Sequence, residues 1–200
     1  MDADLFNAIL SMDSYNRNYN QGIDLRLRDA NGNLVLDAQG NPIEPATIGA
    51  ATILTDSANL GFIAGTTQRA DESDGFYAIA YQYGSTVTIA YRGTDKFTPG
   101  SFDGVNFGGD IYNSYGSGAG LSETSQSILA FAFYKTVAAQ AALSGDTVTL
   151  TGHSLGGGLA GFVGEVENVS TTVFESMAYA ANDNYKSRRA GIPATLLVAA

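Results

Sequence analysis

Asp146-Thr147-Val148-Thr149-Leu150-Thr151-Gly152-His153-Ser154-Leu155-Gly156-Gly157-Gly158-Leu159-Ala160-Gly161 is the stretch on which the reading of this chain turns. Residues 147–151 form a β-branched, apolar run that predicts a strand. The run passes straight into Gly152-His153-Ser154-Leu155-Gly156, which matches the G-x-S-x-G pattern of a nucleophile elbow. Small residues then predict a helix over 154–166. The bare pattern is weak, because 24 Gly and 16 Ser in 200 residues give about 0.2 matches by chance. The setting of strand, sharp turn and helix is what gives it weight.

Each residue type in the motif has a physical reason. A serine whose hydroxyl stands above a sheet edge must sit in a strained turn. Gly152 and Gly156 leave room where a Cβ would collide with the neighbouring strand or helix. The helix that follows points its N-terminus at the serine, where partial positive charge favours a developing oxyanion. The amide of Leu155 is placed to donate to that oxygen. His153 adjoins the serine and is the sole histidine, yet it is not expected to be the base. A residue just before the serine points into the layer beneath, and a base must reach the hydroxyl within hydrogen-bond distance.

Working outward, residues 76–83 and 86–91 are rich in aromatic and β-branched side chains and are separated by Gly84-Ser85, which predicts a hairpin. Residues 122–143 predict a helix, with Ile128, Leu129, Ala132, Phe133, Thr136 and Val137 at helical spacing and Ser144-Gly145 as the stop. Residues Thr171–Phe174 predict a strand, 180–190 a polar helix, and 194–200 one more strand. The alternation of strand and helix after residue 120 predicts an α/β fold with a mainly parallel sheet and crossover helices. The strands at 147–151, 171–174 and 194–200 are expected to be parallel neighbours, with Ser154 above their carboxyl ends.

At the other end, residues 4–14 predict an amphipathic helix with Leu5, Phe6, Ile9 and Leu10 on one face. Asp29-Ala30-Asn31-Gly32 and Asp37-Ala38-Gln39-Gly40-Asn41-Pro42 are turn chemistry around a short strand at 34–36. The Asp spacing supplies no full calcium ligand set, so an exposed hairpin is the preferred reading. Residues 1–200 are read as one partial domain, in which 1–50 form an N-terminal helix and a polar hairpin and loop extension.

Composition narrows the function. Hydrophobic residues make up 44%, as in a globular protein. Ten basic against 20 acidic residues give a net charge of −10, which repels nucleic-acid backbones and anionic membrane surfaces. The absence of cysteine excludes disulfides, thiolate metal sites and a cysteine nucleophile. The first ten residues carry two Asp and no Lys or Arg, unlike a Sec-type signal peptide. No stretch of about 18 apolar residues stands out in the sequence, so no membrane span is expected. An acidic, Cys-free, Gly-rich chain of this kind suits export through a C-terminal signal, which this sequence does not contain.

A second constellation, Ile89-Ala90-Tyr91-Arg92-Gly93-Thr94-Asp95, lies upstream of the elbow. With the ordered pair R-G-T and then G-H-S-L-G, residues 76–200 resemble the class 3 lipases. That family includes fungal triacylglycerol lipases and some bacterial lipases and phospholipases. The resemblance implies an α/β-hydrolase-like fold and a serine ester hydrolase acting on lipid or other acyl esters. Ser154 is then the nucleophile, and Thr94 and Leu155 are the oxyanion donors. No metal or organic cofactor is implied, and contact with lipid interfaces would be transient. The Gly-rich segment 96–120, with Phe97, Phe102, Val105, Phe107, Ile111 and Tyr112, occupies the place of the family's lid. A packed surface loop fits it equally well.

The family pattern breaks at the triad, which runs Ser, Asp, His. The acid and the base would fall beyond Ala200, so the sheet reads as incomplete at its C-terminus and the 200-residue chain as a fragment that is inactive or weakly active. Alternatively, it is a degenerate scaffold that serves as a non-catalytic binding or surface protein. Glu175 ends a strand and could be a displaced acid, but an acid without a histidine achieves little. A peptidase or thioesterase is also compatible with an elbow, which reports mechanism and not substrate.

Overall fold

Tyr83 lies opposite Thr86 in an antiparallel register that runs back to Ala78 opposite Tyr91. The two-residue turn between them has Gly84 at φ 58°, a left-handed conformation that glycine adopts without a Cβ penalty. This hairpin is the centre of the fold in the computed structural model, which describes residues 2–19, 21–62, 65–93 and 125–177. The described elements are α1 (Ala3–Asp13), β1 (Thr47–Ile48), β2 (Ala51–Asp56), α2 (Ala70–Ser73), β3 (Ala78–Tyr83), β4 (Thr86–Tyr91), α3 (Ser125–Ser144), β5 (Thr147–His153), α4 (Leu155–Glu167) and β6 (Thr171–Phe174).

The described strands form one mixed sheet in the order β1-β2-β3-β4-β5-β6. The fold is α/β, but the sheet is not mainly parallel. Among the described residues, β1 to β4 pair antiparallel, and only β4–β5 and β5–β6 are parallel. The reason is connection length. Parallel neighbours need a crossover, and only the links carrying α3 and α4 provide one; two residues between β3 and β4 can only reverse the chain. The strand expected at 194–200 and the helix expected at 180–190 lie outside the described residues.

Alternation along the strands assigns the two faces. Val87, Ile89 and Tyr91 of β4, with Ala78 and Ala80 of β3 and Leu150 of β5, pack with Ala130, Phe131, Phe133, Val137, Leu159, Ala160 and Val163 of α3 and α4. Tyr77, Ile79, Tyr81 and Ala90 turn to the other face and meet Leu10 of α1. The sheet is thus sandwiched between α1 and the α3–α4 pair.

Asp2 caps α1, accepting from the Asp4 amide at 2.9 Å and the Leu5 amide at 3.3 Å, an arrangement worth about 1 kcal/mol. The buried stripe of α1 differs from expectation. Leu5 is 56% exposed, whereas Leu10, Ser11 and Asp13 are buried. The stripe therefore carries a charge, because Asp13 meets Arg17 at 2.9 Å and the Tyr81 hydroxyl at 2.8 Å. Helix α3 has the length and composition to cross a membrane. Its contacts are those of a core helix, with Phe131 against Phe162 of α4 and the Gln126 amide donating to the Asp74 carbonyl.

Residues 24–44 form an exposed meander. The Asp29 carboxylate accepts from the amides of Asn31 and Asn33, each at 2.9 Å. Eight residues on, Asp37 accepts from Gln39 at 2.9 Å and Asn41 at 2.8 Å. Bridges Arg28–Leu34 and Leu36–Pro42 close the two turns.

Candidate active site

Ser154 stands between β5 and α4 with φ 55° and ψ −125°. Holding a non-glycine residue in so sparsely populated a region costs of the order of 1–3 kcal/mol, so surrounding contacts must fix it. The Ser154 amide donates to the Phe174 carbonyl at the end of β6, 3.0 Å away. Its carbonyl accepts from Met177 at 3.0 Å and from Gly158 at 3.1 Å. The turn is thus pinned on one side by β6 and on the other by its own helix.

The flanking glycines are compelled by contact. A Cβ on Gly152 would overlap the Gly156 carbonyl and come within 2.7 Å of the Gly157 nitrogen. A Cβ on Gly156 would overlap the Tyr91 carbonyl oxygen and lie 2.7 Å from the Arg92 carbonyl carbon. Helix α4 therefore approaches the ends of both β4 and β5 at backbone distance, with its N-terminus at the serine. Among the described residues, nothing accepts from the Leu155 amide. Leu155 itself is buried.

His153 lies on the opposite face. Thr151 and His153 share a side of β5, and the Thr151 hydroxyl reaches the Asn7 carbonyl of α1 at 3.3 Å. The imidazole meets the Tyr15 hydroxyl at Nδ1, 3.0 Å away, and a Glu175 carboxylate oxygen at Nε2, 3.4 Å away. It makes no hydrogen bond to Ser154 Oγ. Glu175 adopts φ 43° just after β6, and its side chain is 87% exposed. Its described contact is with His153 and not with the serine.

The end of β4 comes to the same place. Arg92 is buried between the rings of Tyr19 and Tyr77, with its guanidinium carbon 4.3 Å and 4.7 Å from their centroids. It donates to the Tyr19 carbonyl at 2.8 Å. Burial above all, reinforced by the nearby Asp56 carboxylate, pushes the Tyr77 hydroxyl far above its usual range, so the ring beside Arg92 stays neutral. Burial likewise raises the Tyr91 hydroxyl, which donates to the Ala130 carbonyl at 3.1 Å and ties β4 to α3.

The geometry therefore brings Ser154, the Leu155 amide and the Arg92-Gly93 strand end together. Thr94, the other expected oxyanion donor, lies outside the described residues, as does the segment 96–120 read as a lid or packed loop. Among the described residues, no cluster of three or more His, Asp or Glu could hold a metal ion. Sequence reasoning missed Tyr15, which no motif marks. Its only trace is Gly93, whose place in R-G-T gives no hint of what fills the space beside it. Comparison with models of known protein families, with curated proteins and with solved structures finds no match in any of the three.

Proposed function

We propose that the chain carries a serine ester-hydrolase site of the lipase or phospholipase type on an α/β-hydrolase-like scaffold, as its resemblance to class 3 lipases implies. Ser154 Oγ attacks the carbonyl carbon of an acyl ester, the alcohol departs, and water then releases the acid from the acyl-enzyme. Leu155 and Thr94 donate to the oxyanion. The chemistry calls for no metal or organic cofactor. The observation that supports this most strongly is the left-handed Ser154 between two glycines that admit no side chain. Strain of this kind at a half-buried serine is costly to keep for packing alone.

The position of His153 limits the expected rate. The sole imidazole of the sequence contacts Tyr15 and Glu175 on the α1 side, so Ser154 has no described base. The 200-residue chain is accordingly weakly active, with residual catalysis of roughly 10³–10⁴ over water from oxyanion stabilisation and binding. The same observation favours a second reading, a non-catalytic binding protein on this scaffold. Labelling by a fluorophosphonate and hydrolysis of an activated aryl ester, compared between the parent chain and Ser154→Ala, separate the two. The hydrolase reading expects slow labelling and turnover that vanish in Ser154→Ala. Equal turnover in both proteins would defeat it, and absence of any Ser154-dependent reaction would favour the binding reading.

A further inference from the structure

The Tyr15 hydroxyl occupies a point where three parts of the chain meet. It belongs to the single 3-10 turn Ser14–Asn16 that follows α1. The Gly93 amide at the end of β4 donates to it at 3.1 Å. His153 Nδ1, at the end of β5, lies 3.0 Å away, and the His153 carbonyl 3.4 Å away. A phenol oxygen has one proton to give and can accept from others. With the imidazole Nε2–H turned to Glu175, Nδ1 is the acceptor. The bonds then run in one direction, from Gly93 N–H to the Tyr15 oxygen and from the Tyr15 proton to Nδ1.

The site is shaped for this hydroxyl. A Cβ on Gly93 would overlap the Tyr15 oxygen and lie 2.7 Å from the His153 carbonyl oxygen. The missing side chain of Gly93 is the space in which the hydroxyl sits. The ring packs edge-on against the imidazole, with centroids 5.9 Å apart. Two residues on, Arg17 pairs with buried Asp13, and Arg92 donates to the Tyr19 carbonyl, so the segment that carries Tyr15 is itself fixed.

We propose that Tyr15 is a positioning residue of the acyl-transfer site: its hydroxyl, seated in the gap left by Gly93, sets the distance between the end of β4 and the turn that carries Ser154. This rests on the reading of Ser154 as the nucleophile. The described hydrogen bonds of Tyr15 go to Gly93 and His153 and not to Ser154. Tyr15 acts through the backbone of Gly93 and His153, which precede Thr94 and Ser154 in the sequence. Misplacement of preorganised donors lowers transition-state stabilisation without weakening ground-state binding, so the signature is a fall in kcat at constant KM.

The test compares the parent chain, Tyr15→Phe and Ser154→Ala in hydrolysis of an activated aryl ester, with thermal unfolding and the folded fraction measured on the same samples. Tyr15→Phe keeps the ring and removes the hydroxyl. The expected result is a roughly tenfold lower kcat per folded molecule, with KM within about twofold. An unchanged kcat per folded molecule, or a change confined to KM, overturns the proposal while leaving the nucleophile in place. Turnover that survives in Ser154→Ala overturns it together with the nucleophile reading, and so does a parent chain without Ser154-dependent turnover. If Tyr15→Phe does not fold, 4-methylphenylalanine at position 15 fills the gap beside Gly93 but can neither accept from its amide nor donate to His153. A lowered kcat per folded molecule there supports the proposal, and an unchanged one overturns it.

Discussion

Gly156→Ala is the substitution whose cost follows most directly from the geometry. The added Cβ would overlap the Tyr91 carbonyl oxygen and stand 2.7 Å from both the Tyr91 and the Arg92 carbonyl carbons. These are backbone atoms at the end of a central strand, hydrogen-bonded on both sides, and no rotamer change can move them. Relief requires α4 to retreat from the sheet by the better part of an ångström, which loosens the packing of Leu159, Ala160 and Val163. Overpacking of a tight core costs about 1–3 kcal/mol and sometimes more, and contact with rigid backbone places this case at the upper end, near 4. Against it stands the gain of about 1 kcal/mol for replacing glycine by alanine within a helix. The net loss of about 3 kcal/mol corresponds to a fall in Tm of roughly 6–12 °C for a domain of this size. Thermal unfolding followed by circular dichroism, run beside Gly158→Ala, checks the figure. At Gly158 the nearest atom to an added Cβ is the Met177 carbonyl oxygen at 3.3 Å, so the same helix gain meets only a small penalty and Tm should hold or rise by up to roughly 2–4 °C. A Gly156→Ala protein as stable as Gly158→Ala would refute the reasoning.

Three further outcomes follow from other contacts. Ser154→Gly should be more stable than Ser154→Ala by about 1 kcal/mol in urea unfolding, because both remove the hydroxyl and only glycine relieves the left-handed backbone; equal stability would mean that the turn is not strained. Arg17→Met should cost about 3–5 kcal/mol by leaving buried Asp13 without its cation, and adding Asp13→Asn should recover part of that loss. In the meander, the Asn33 amide foremost holds the Asp29 carboxyl below its usual range, and the Asn41 amide does the same for Asp37. Folded values that are depressed stabilise the turns above the ordinary carboxylate pKa, and that stabilisation is lost as pH falls through the folded values. Carbon-detected titration should therefore place both midpoints below about 3.9, and a midpoint at or above it would contradict the turn geometry.

The elements most legible in the sequence were those with an internal period and a marked boundary. The β3–β4 hairpin, β5 and β6 were read to within two residues, because alternating or β-branched runs ended at glycine or passed into the elbow. Strand β2 was missed. Its register shifts between Ile53 and Thr55, so Ile53 and the half-exposed Leu54 break the alternation that would reveal a strand. The sheet was expected to be mainly parallel because the helices after residue 120 dominate the pattern, whereas the antiparallel half carries no helix longer than the single turn of α2 between its strands. Ser154 and its glycines were legible because their demands are local. The Tyr15 contact was not, since 138 residues separate it from His153. Asp71 was equally hidden. A fully buried carboxylate looks like a surface residue until Ser57 and Arg69 are seen to close around it, at 2.7 Å and 2.6 Å.

The meander of residues 24–44 has an arithmetic of its own. Each Asp-x-x-Gly-Asn unit carries its own cap and reverses the direction of travel, and the two units lie eight residues apart. The three legs also close on one another, because the Leu27 amide donates to the Ile43 carbonyl, the Val35 amide to Leu27 and the Ile43 amide to Val35. Residues 27, 35 and 43 are thus the three corners of one ring, each spaced eight residues from the next. A unit added or removed would break that ring instead of lengthening the arm.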